Sequence, residues 1–232
     1  MNKFSQRSLE AEMMDGETDE KILVQNYREI EQVNKLLGGY NTLYKGLTHF
    51  KSKNNGNKGL HILDVGCGAG DNIEAILDWG TKNGMSLQVT GVDLNETAIK
   101  MAKNRFKGNL CVHLICSDYR DLNTAEKPDI IVSSLFNHHL TDEENIIYFT
   151  WAKNLAQSGF IVNDLHRNFM AYYSIKLIAV LANTSKYFKN DAPLSVLRAF
   201  KKHELLRLAE KADLSVKIKW QWAFRWLMIY EK

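Results

Sequence analysis

The chain contains little proline, little cysteine and no long apolar run. Its 232 residues include two prolines and three cysteines. The cysteines (Cys67, Cys111 and Cys116) have neither the even count of a disulfide framework nor the spacing of a metal site. We therefore expect reduced thiols and no bound metal. The longest apolar stretch, residues 169–182, is 14 residues long and contains Lys176. A membrane span needs about 20 apolar residues, so none is expected.

Charge is distributed unevenly along the chain. The net charge is +3, but residues 1–150 carry 16 Lys and Arg against 21 Asp and Glu, while residues 151–232 carry 14 against 6. The basic excess indicates either solvated faces or a positive field facing an acidic acceptor, partner or anionic surface. It is not a dense basic stripe with interleaved aromatics, so a nucleic-acid partner is not expected. The first twenty residues are polar and lack the apolar core of a secretory signal, which favours a cytoplasmic protein.

One glycine-rich segment carries most of the functional information. An apolar run at residues 60–65 contains Asp64 and ends in alternating glycines. These are Gly66, Gly68 and Gly70. A strand that runs into such a loop and then into a helix builds a nucleotide-type crevice. A dinucleotide fingerprint would need a third glycine where this chain has Asp71. The carboxylate of Asp64 would repel a pyrophosphate, and it suits a ligand that bears an ammonium and a sulfonium.

The rest of the chain predicts an α/β fold. Helical periodicity begins at residue 19 and stops at Gly38-Gly39, a second helix follows near 41–50, and residues 51–59 form a polar linker. Five strands are expected near 60–65, 87–92, 111–116, 129–134 and 159–163. Helices are expected between them near 71–83, 96–106 and 142–157, with a weaker crossover at 118–126. This alternation indicates βαβ units and a parallel sheet. A helical insertion at 166–188 and a chain break at Pro193 come next. A helix at 201–213 and two strands at 215–222 and 225–230 complete the chain.

The glycine loop with its aspartate resembles motif I of the class I S-adenosylmethionine-dependent methyltransferases. The resemblance covers about residues 58–232. It implies a Rossmann-like, mostly parallel seven-stranded sheet of order 3-2-1-4-5-7-6 and S-adenosyl-L-methionine as the cofactor. The tetrapeptide Asn-Pro-Pro-Tyr and a Pro-Cys pair are both absent. Their absence argues against methylation of DNA bases.

Two acidic residues follow predicted strands at positions that suit this cofactor. Asp93 ends the second strand, where a carboxylate can accept both hydroxyls of a ribose. The alternative is that it helps cap the helix starting at Asn95. In the resembled family an acidic residue at the position of Asp118 binds the adenine amine, with Tyr119 along the ring; the alternative is a simple turn aspartate. The residues expected to bind the cofactor are Asp64, Gly66, Cys67, Gly68, Gly70, Asp93, Leu94, Asp118, Tyr119 and Ser134.

Histidines are the candidate proton acceptors. Residues 134–139 should lie at the carboxyl end of the fourth strand, near the methyl group to be transferred. Imidazole titrates near neutrality and can take a proton from a phenol, enol or amine. One of two adjacent histidines is expected to face away, so His138 and His139 remain alternatives. The other interpretation of the pair is that both side chains only pack the loop.

A third candidate follows the fifth strand. Asp164, His166 and Arg167 form an acid, base and cation set there. This set either orients an acceptor or forms a salt-bridge network that holds the insertion in place. The candidate catalytic residues are therefore His138, His139 and His166.

Flanking segments resemble a narrower group, the small-molecule methyltransferases of bacterial secondary metabolism found beside type III polyketide synthases. The matching pieces include Arg7-Ser8 with residues 12–15, residues 34–41 and residues 191–200. This resemblance implies a phenolic or polyketide-like acceptor. It also implies an N-terminal helical cap at residues 1–57, a cofactor-binding domain at 58–232 and a helical lid at about 166–198. Tyr27, Asn34 and Tyr40 are then candidate lid contacts, or ordinary helix packing.

The sequence thus predicts an enzyme that transfers a methyl group from S-adenosylmethionine to a small organic acceptor. It leaves open the acceptor, the atom methylated and the oligomeric state. The alternatives are a methyltransferase acting on protein or RNA, a non-catalytic S-adenosylmethionine-binding protein, and a nicotinamide oxidoreductase, which Asp71 disfavours.

Overall fold

The computed structural model describes residues 3–16, 19–51, 59–122 and 126–232. Most of the polar linker predicted at residues 51–59 therefore lies outside the described residues. Within the described part, no helix has both the length and the apolar character that crossing a membrane requires.

A seven-stranded sheet forms the centre of the molecule. Its strands are β1 (Leu60–Val65), β2 (Leu87–Asp93), β3 (Val112–Cys116), β4 (Ile130–Ser134), β5 (Gly159–Leu165), β6 (Val216–Gln221) and β7 (Arg225–Glu231). The order is β3-β2-β1-β4-β5-β7-β6, which confirms the expected topology. β1 to β5 pair in parallel, and β7 is antiparallel to both β5 and β6. The carboxyl ends of β1, β2, β4 and β5 therefore meet at one edge.

Helices cover both faces of the sheet and the edge where these strands end. They are α1 (Glu20–Leu36), α2 (Gly39–Lys51), α3 (Asp71–Lys82), α4 (Glu96–Arg105), α5 (Asp142–Leu155), α6 (Phe169–Leu181), α7 (Lys186–Arg198) and α8 (Lys202–Lys211). α1 ends where predicted because Gly38 adopts a φ of +68°, which reverses the chain before α2. The weak crossover expected at 118–126 is only a 3-10 turn at Tyr119–Asp121, with residues 123–125 outside the described part.

Side chains alternate in direction along each strand, so the apolar core forms two clusters, one on each face of the sheet. In β1, Ile62 belongs to the core cluster that includes Ile73 and Ile76 of α3, whereas its neighbour Leu63 belongs to the cluster that includes Phe149 of α5. Successive strand residues point to opposite faces, so a strand covered on both sides must be apolar throughout. The rigid sheet therefore holds the loops at its carboxyl edge in place.

The insertion after β5 differs from the prediction. The sequence predicts a helical insertion at 166–188 followed by a chain break at Pro193, but α6 stops at Leu181 and Pro193 lies inside α7. A proline inside a helix costs about 3 kcal/mol because it removes one backbone hydrogen bond. Burial of an apolar side chain contributes roughly 1.5–3 kcal/mol, and Phe188, Leu194 and Val196 are all buried in α7. Tertiary packing therefore overrides the local signal.

Candidate active site

The loop after β1 depends on glycine at two positions. Gly66 and Gly68 have φ values of +69° and +52°. A Cβ at Gly66 would lie 2.5 Å from the Phe136 ring, and one at Gly68 would lie 3.4 Å from the ring of Tyr27. The Phe136 ring excludes a side chain at Gly66, whereas the contact at Gly68 is an ordinary one and the positive φ is what favours glycine there.

A cavity of about 890 Å³ opens at the carboxyl edge of the sheet, below α6 and α7. Ten of the thirteen predicted site residues line it. They are Gly66, Cys67, Gly68, Asp93, Leu94, Asp118, Tyr119, Ser134, His138 and His139. Both adjacent histidines line the cavity, contrary to the expectation that one faces away. They sit in a 3-10 turn (Asn137–His139) and not in extended chain, with ring centroids 4.3 Å apart.

The other three predicted residues are placed around the cavity without lining it. Asp64 is fully buried below the glycine loop, and neither carboxylate oxygen has a partner among the described residues. Burial raises its pKa well above the ordinary value. Gly70 precedes α3 with a φ of +84° and packs against Phe106. The ring of His166 packs on that of Trp226, with centroids 4.8 Å apart, and does not line the cavity.

Asp93 and Asp118 line the cavity in different electrostatic states. Asp93 accepts hydrogen bonds from the main-chain N–H groups of Gly68 and Asn95, each at 2.8 Å. Burial raises its pKa although these bonds oppose the shift. Asp118 instead pairs with Arg120, whose Nε lies 3.0 Å from Oδ1, and this hydrogen bonding lowers the pKa of Asp118. An adenine amine at Asp118 would share that carboxylate with Arg120.

His138 is the most constrained titratable side chain in the site. Its Nδ1 lies 2.7 Å from Oδ1 of Asp164, whose Oδ2 accepts the His138 main-chain N–H at 3.0 Å. Burial alone would raise the pKa of Asp164, but the charge and hydrogen bonds of His138 outweigh burial and the pKa lies below its usual value. When the imidazole is neutral, an ionised Asp164 holds its proton on Nδ1 and leaves Nε2 as an acceptor.

Glu12 approaches the free side of both histidines. Its Oε1 lies 3.7 Å from Nε2 of His138, and burial raises its pKa to about 7. Nearby, Asp15 lies 3.3 Å from Nδ1 of His139. Sequence reasoning includes Glu12 only in a motif of the narrower resemblance, because no local pattern shows that this segment folds onto the histidine turn.

The same three residues have the composition of a metal site. Ligand atoms of Glu12, His138 and His139 all lie within 4.8 Å of one another. Two imidazoles and a carboxylate suit a divalent transition metal. However, the guanidinium Nε of Arg198 lies 3.9 Å from Glu12 and opposes a second cation there. The expectation of no metal stays a prediction.

Arg225 is the functional candidate that sequence reasoning missed. It lines the cavity and is 3% exposed, and burial lowers its pKa to about 10. Its Nη2 donates to Oδ1 of Asn34 at 2.8 Å, whereas Nε and Nη1 have no partner among the described residues. A buried guanidinium with unused donors favours a carboxylate ligand. The available signal was a single arginine within the apolar and aromatic residues 222–230.

The remaining candidates divide between the cavity and the scaffold. Tyr27 and Asn34 line the cavity, and the Tyr40 hydroxyl donates to Asp71 at 2.8 Å. Arg167 does not line it. Its Nη1 and Nη2 donate to the two carboxylate oxygens of Glu204, at 3.0 and 2.5 Å, and main-chain carbonyls accept from its remaining N–H groups. The salt-bridge alternative therefore describes Arg167.

The charges around the glycine loop fit S-adenosylmethionine better than a dinucleotide. Asp71 lines the cavity and Asp64 is buried below the loop, and burial raises the pKa of both carboxyls. A cationic ammonium or sulfonium nearby would favour their ionised forms. Arg225 supplies a cation at the same cavity, and two of its nitrogens have no hydrogen-bond partner among the described residues. The amino-acid end of S-adenosylmethionine carries an ammonium and a carboxylate, so it suits a site with both acidic and basic side chains. A diphosphate beside Asp71 would instead be repelled by the carboxylate.

Comparison with known proteins identifies the domain. Residues 62–159 match the family model described as a methyltransferase domain. The ubiquinone biosynthesis O-methyltransferase of Coxiella burnetii is 34% identical over 117 residues, which are 50% of this chain and 47% of that protein. The protein of that name from Bradyrhizobium diazoefficiens is 29% identical over 116 residues, 49% of this chain and 43% of that protein. The chain thus spans about half the length of the curated relatives it matches.

Solved structures extend the likeness of the fold to nearly the whole chain. The plantazolicin methyltransferase BpumL, in complex with SAH, superposes with a TM-score of 0.66 at 17% identity and covers 92% of this chain and 95% of its own. The magnesium protoporphyrin IX methyltransferase of Synechocystis PCC 6803, with bound SAM, gives 0.56 at 14% identity and covers 94% and 99%. The domain match, the sheet order and the glycine loop together support a class I S-adenosylmethionine-dependent methyltransferase domain, of which residues 62–159 carry the family match.

Proposed function

We propose that this protein methylates a small, largely apolar organic acceptor at an ionisable hydroxyl, of the phenolic or polyketide-like class. One observation carries the proposal: the Asp164–His138 pair faces a cavity whose far wall is apolar. That wall includes Ile175, Ile178, Phe188 and Val196. The matched relatives are O-methyltransferases by name, which supports oxygen as the methylated atom.

We assign the cofactor to the glycine-loop end of the cavity. Bound there, S-adenosylmethionine supplies an electrophilic methyl group. Gly66 and Gly68 would leave room for close approach, Asp93 would accept the ribose hydroxyls and Arg225 would bind the carboxylate. Leu94 and Tyr119 would contact the adenine, with Asp118 at its amine.

The protein contributes position and proton removal. Asp164 fixes the ring of His138, so that Nε2 can accept the proton of an acceptor hydroxyl. Glu12, with a pKa of about 7, lies 3.7 Å from that nitrogen and stabilises the imidazolium when ionised. α6 and α7 exclude water from the apolar end, where an oriented approach is worth roughly 7–11 kcal/mol.

The proposed division of the chain assigns the N-terminal part a role in the site. Residues 1–57 form a cap on the domain at 58–232, with α6 and α7 as the lid. Arg7 supports this role because its Nη2 donates to the carbonyl of Leu140 at 2.7 Å, beside the histidine turn. Arg198 of α7 donates to the His139 carbonyl at 2.8 Å from the other side.

A turnover assay with labelled S-adenosylmethionine tests the proposal. The acceptor panel contains phenols and hydroxyquinones, amines, and a protein and an RNA substrate. We expect turnover with hydroxyl acceptors and a fall of about 10²–10⁴-fold in His138→Ala, with the cofactor Kd nearly unchanged. His166→Ala is the matched control because its ring lies outside the cavity, and it should keep its rate.

Other outcomes would contradict the proposal. Turnover with only protein or RNA would favour a macromolecular acceptor, and cofactor binding without turnover on any acceptor would favour a non-catalytic role. An equal loss in both histidine variants would remove His138 as the specific proton acceptor.

A further inference from the structure

Helix α6 is apolar on two sides, only one of which faces the cavity. Its inner side lines the cavity through Ala171, Ser174, Ile175 and Ile178. Its outer side carries six large apolar residues that are each more than half exposed. They are Phe169 (58%), Met170 (54%), Tyr173 (56%), Leu177 (59%), Val180 (65%) and Leu181 (76%). A helix that only closed the cavity would need one apolar side and a polar outer side.

These six residues form one continuous stripe. At about 100° per residue they fall within an arc of about 120°, on a helix about 20 Å long. The cavity-lining arc begins directly beside it, because Ser174 follows Leu181 around the helix by about 20°. We call the six residues the outer stripe. Contiguous apolar surface of this kind marks an interaction site.

Positive charge borders the outer stripe. Lys176 is exposed and lies next to Phe169 around the helix, and α6 contains no acidic residue. The ammonium of Lys3 lies 3.6 Å from the ring centroid of Tyr172 and 5.0 Å from that of Tyr173. Lys186 and Lys189, at the start of α7, are also exposed. An apolar stripe with a lysine border complements a surface that is apolar inside and anionic outside.

We propose that the outer stripe docks this protein on an anionic lipid surface. An amphipathic helix with large apolar residues and bordering lysines lies in the plane of such an interface. A second copy is the less favoured occupant, since a two-fold interface pairs the same patch with itself and would bring like charges together. Docked in this way, the apolar surface leads from the lipid around α6 to the cavity.

Flotation with lipid vesicles tests the docking. The full chain is mixed with vesicles of phosphatidylcholine alone or of phosphatidylcholine with phosphatidylglycerol. We expect binding to the anionic vesicles that weakens with salt. Tyr173→Ser with Leu177→Ser should lower the partition coefficient at least tenfold. Lys176→Gln should lower it about fivefold on anionic vesicles and leave neutral vesicles unaffected.

Two controls make the result specific. Leu110→Ser removes an 89% exposed leucine close to the amino-terminal end of β3, and it should leave binding unchanged. Cofactor affinity should be unchanged in every variant, since none of the substituted residues lines the cavity. The assay needs no methyl acceptor, so its outcome is independent of the proposed function.

Three results would overturn the proposal. One is absence of binding to anionic vesicles. Another is equal binding by wild type and the Tyr173→Ser/Leu177→Ser variant. The third is a dimer, detected by light scattering, that the same double variant converts to a monomer without any vesicle binding.

Discussion

Replacement of Arg225 by methionine separates binding from stability. Its guanidinium is buried, with one hydrogen bond to Asn34 and two nitrogens without partners among the described residues. An unsatisfied buried donor costs about 1–3 kcal/mol, and a hydrogen bond of a charged group contributes about 1.5–3 kcal/mol. In Arg225→Met the relief of two donors therefore offsets the loss of the Asn34 bond. Unfolding of the cofactor-free variant in urea should give a free energy within about 1 kcal/mol of wild type or higher.

The affinity of Arg225→Met for the cofactor, in contrast to its stability, should fall. If the free donors bind the carboxylate, their loss removes roughly 3 kcal/mol or more, so the Kd for S-adenosylhomocysteine rises at least about a hundredfold. Calorimetry measures this directly. The matched ligand is 5′-methylthioadenosine, which has no amino-acid group, and its Kd should be nearly equal for both proteins.

Arg167 is the control residue for the predicted effect of Arg225→Met on the free energy of unfolding. It is also buried, but its nitrogens are hydrogen-bonded to Glu204 and to main-chain carbonyls. Arg167→Met leaves a carboxylate without its partner and should cost about 3–5 kcal/mol. The reasoning is refuted if Arg225→Met destabilises the free protein as much as Arg167→Met, or if it weakens both ligands equally.

Three further predictions concern the remaining acidic and histidine groups. Asp93→Ala should raise the cofactor Kd about a hundredfold by calorimetry, because the ribose loses a charged acceptor; an unchanged Kd would remove Asp93 from the site. The pKa of Glu12 is raised from 4.5 to about 7, so its contribution to stability is present below pH 4.5 and is lost as pH rises through 7. Wild type should therefore lose about 3 kcal/mol more than Glu12→Gln between pH 4 and 8 in urea unfolding, and parallel curves would contradict the shifted pKa. Treatment with a chelator should leave turnover intact; a loss restored by added zinc would make Glu12, His138 and His139 a metal site.

Much of the cofactor-binding part of the site could be predicted from local sequence patterns. A strand, a glycine loop and a helix are consecutive in sequence, and the positive φ of Gly66 and Gly68 is a local requirement of the turn between them. Asp93 and Asp118 follow strands directly, so their position at the carboxyl edge follows from parallel topology. Ten of the thirteen candidates therefore line one cavity.

The errors arose where distant packing decides the outcome. Pro193 lies inside α7 because buried neighbours outweigh its missing hydrogen bond. Both histidines line the cavity because the chain turns at residues 137–139. Neither the burial around Pro193 nor the turn at residues 137–139 can be predicted from local conformational propensities.

The sequence by itself determined the alternation of strands and helices and the glycine loop, since each depends on periodicity or on spacing within a short segment. The sheet order and the cofactor were predicted from the family resemblance that this loop carries. Only the tertiary structure brought Glu12 to His138, placed Arg225 at the cavity and exposed the outer stripe of α6. Those features join residues far apart in the chain: 126 positions separate Glu12 from His138, and 191 separate Asn34 from Arg225. Burial and contact between residues so far apart in the chain arise only when the chain packs, so no local sequence pattern indicates them.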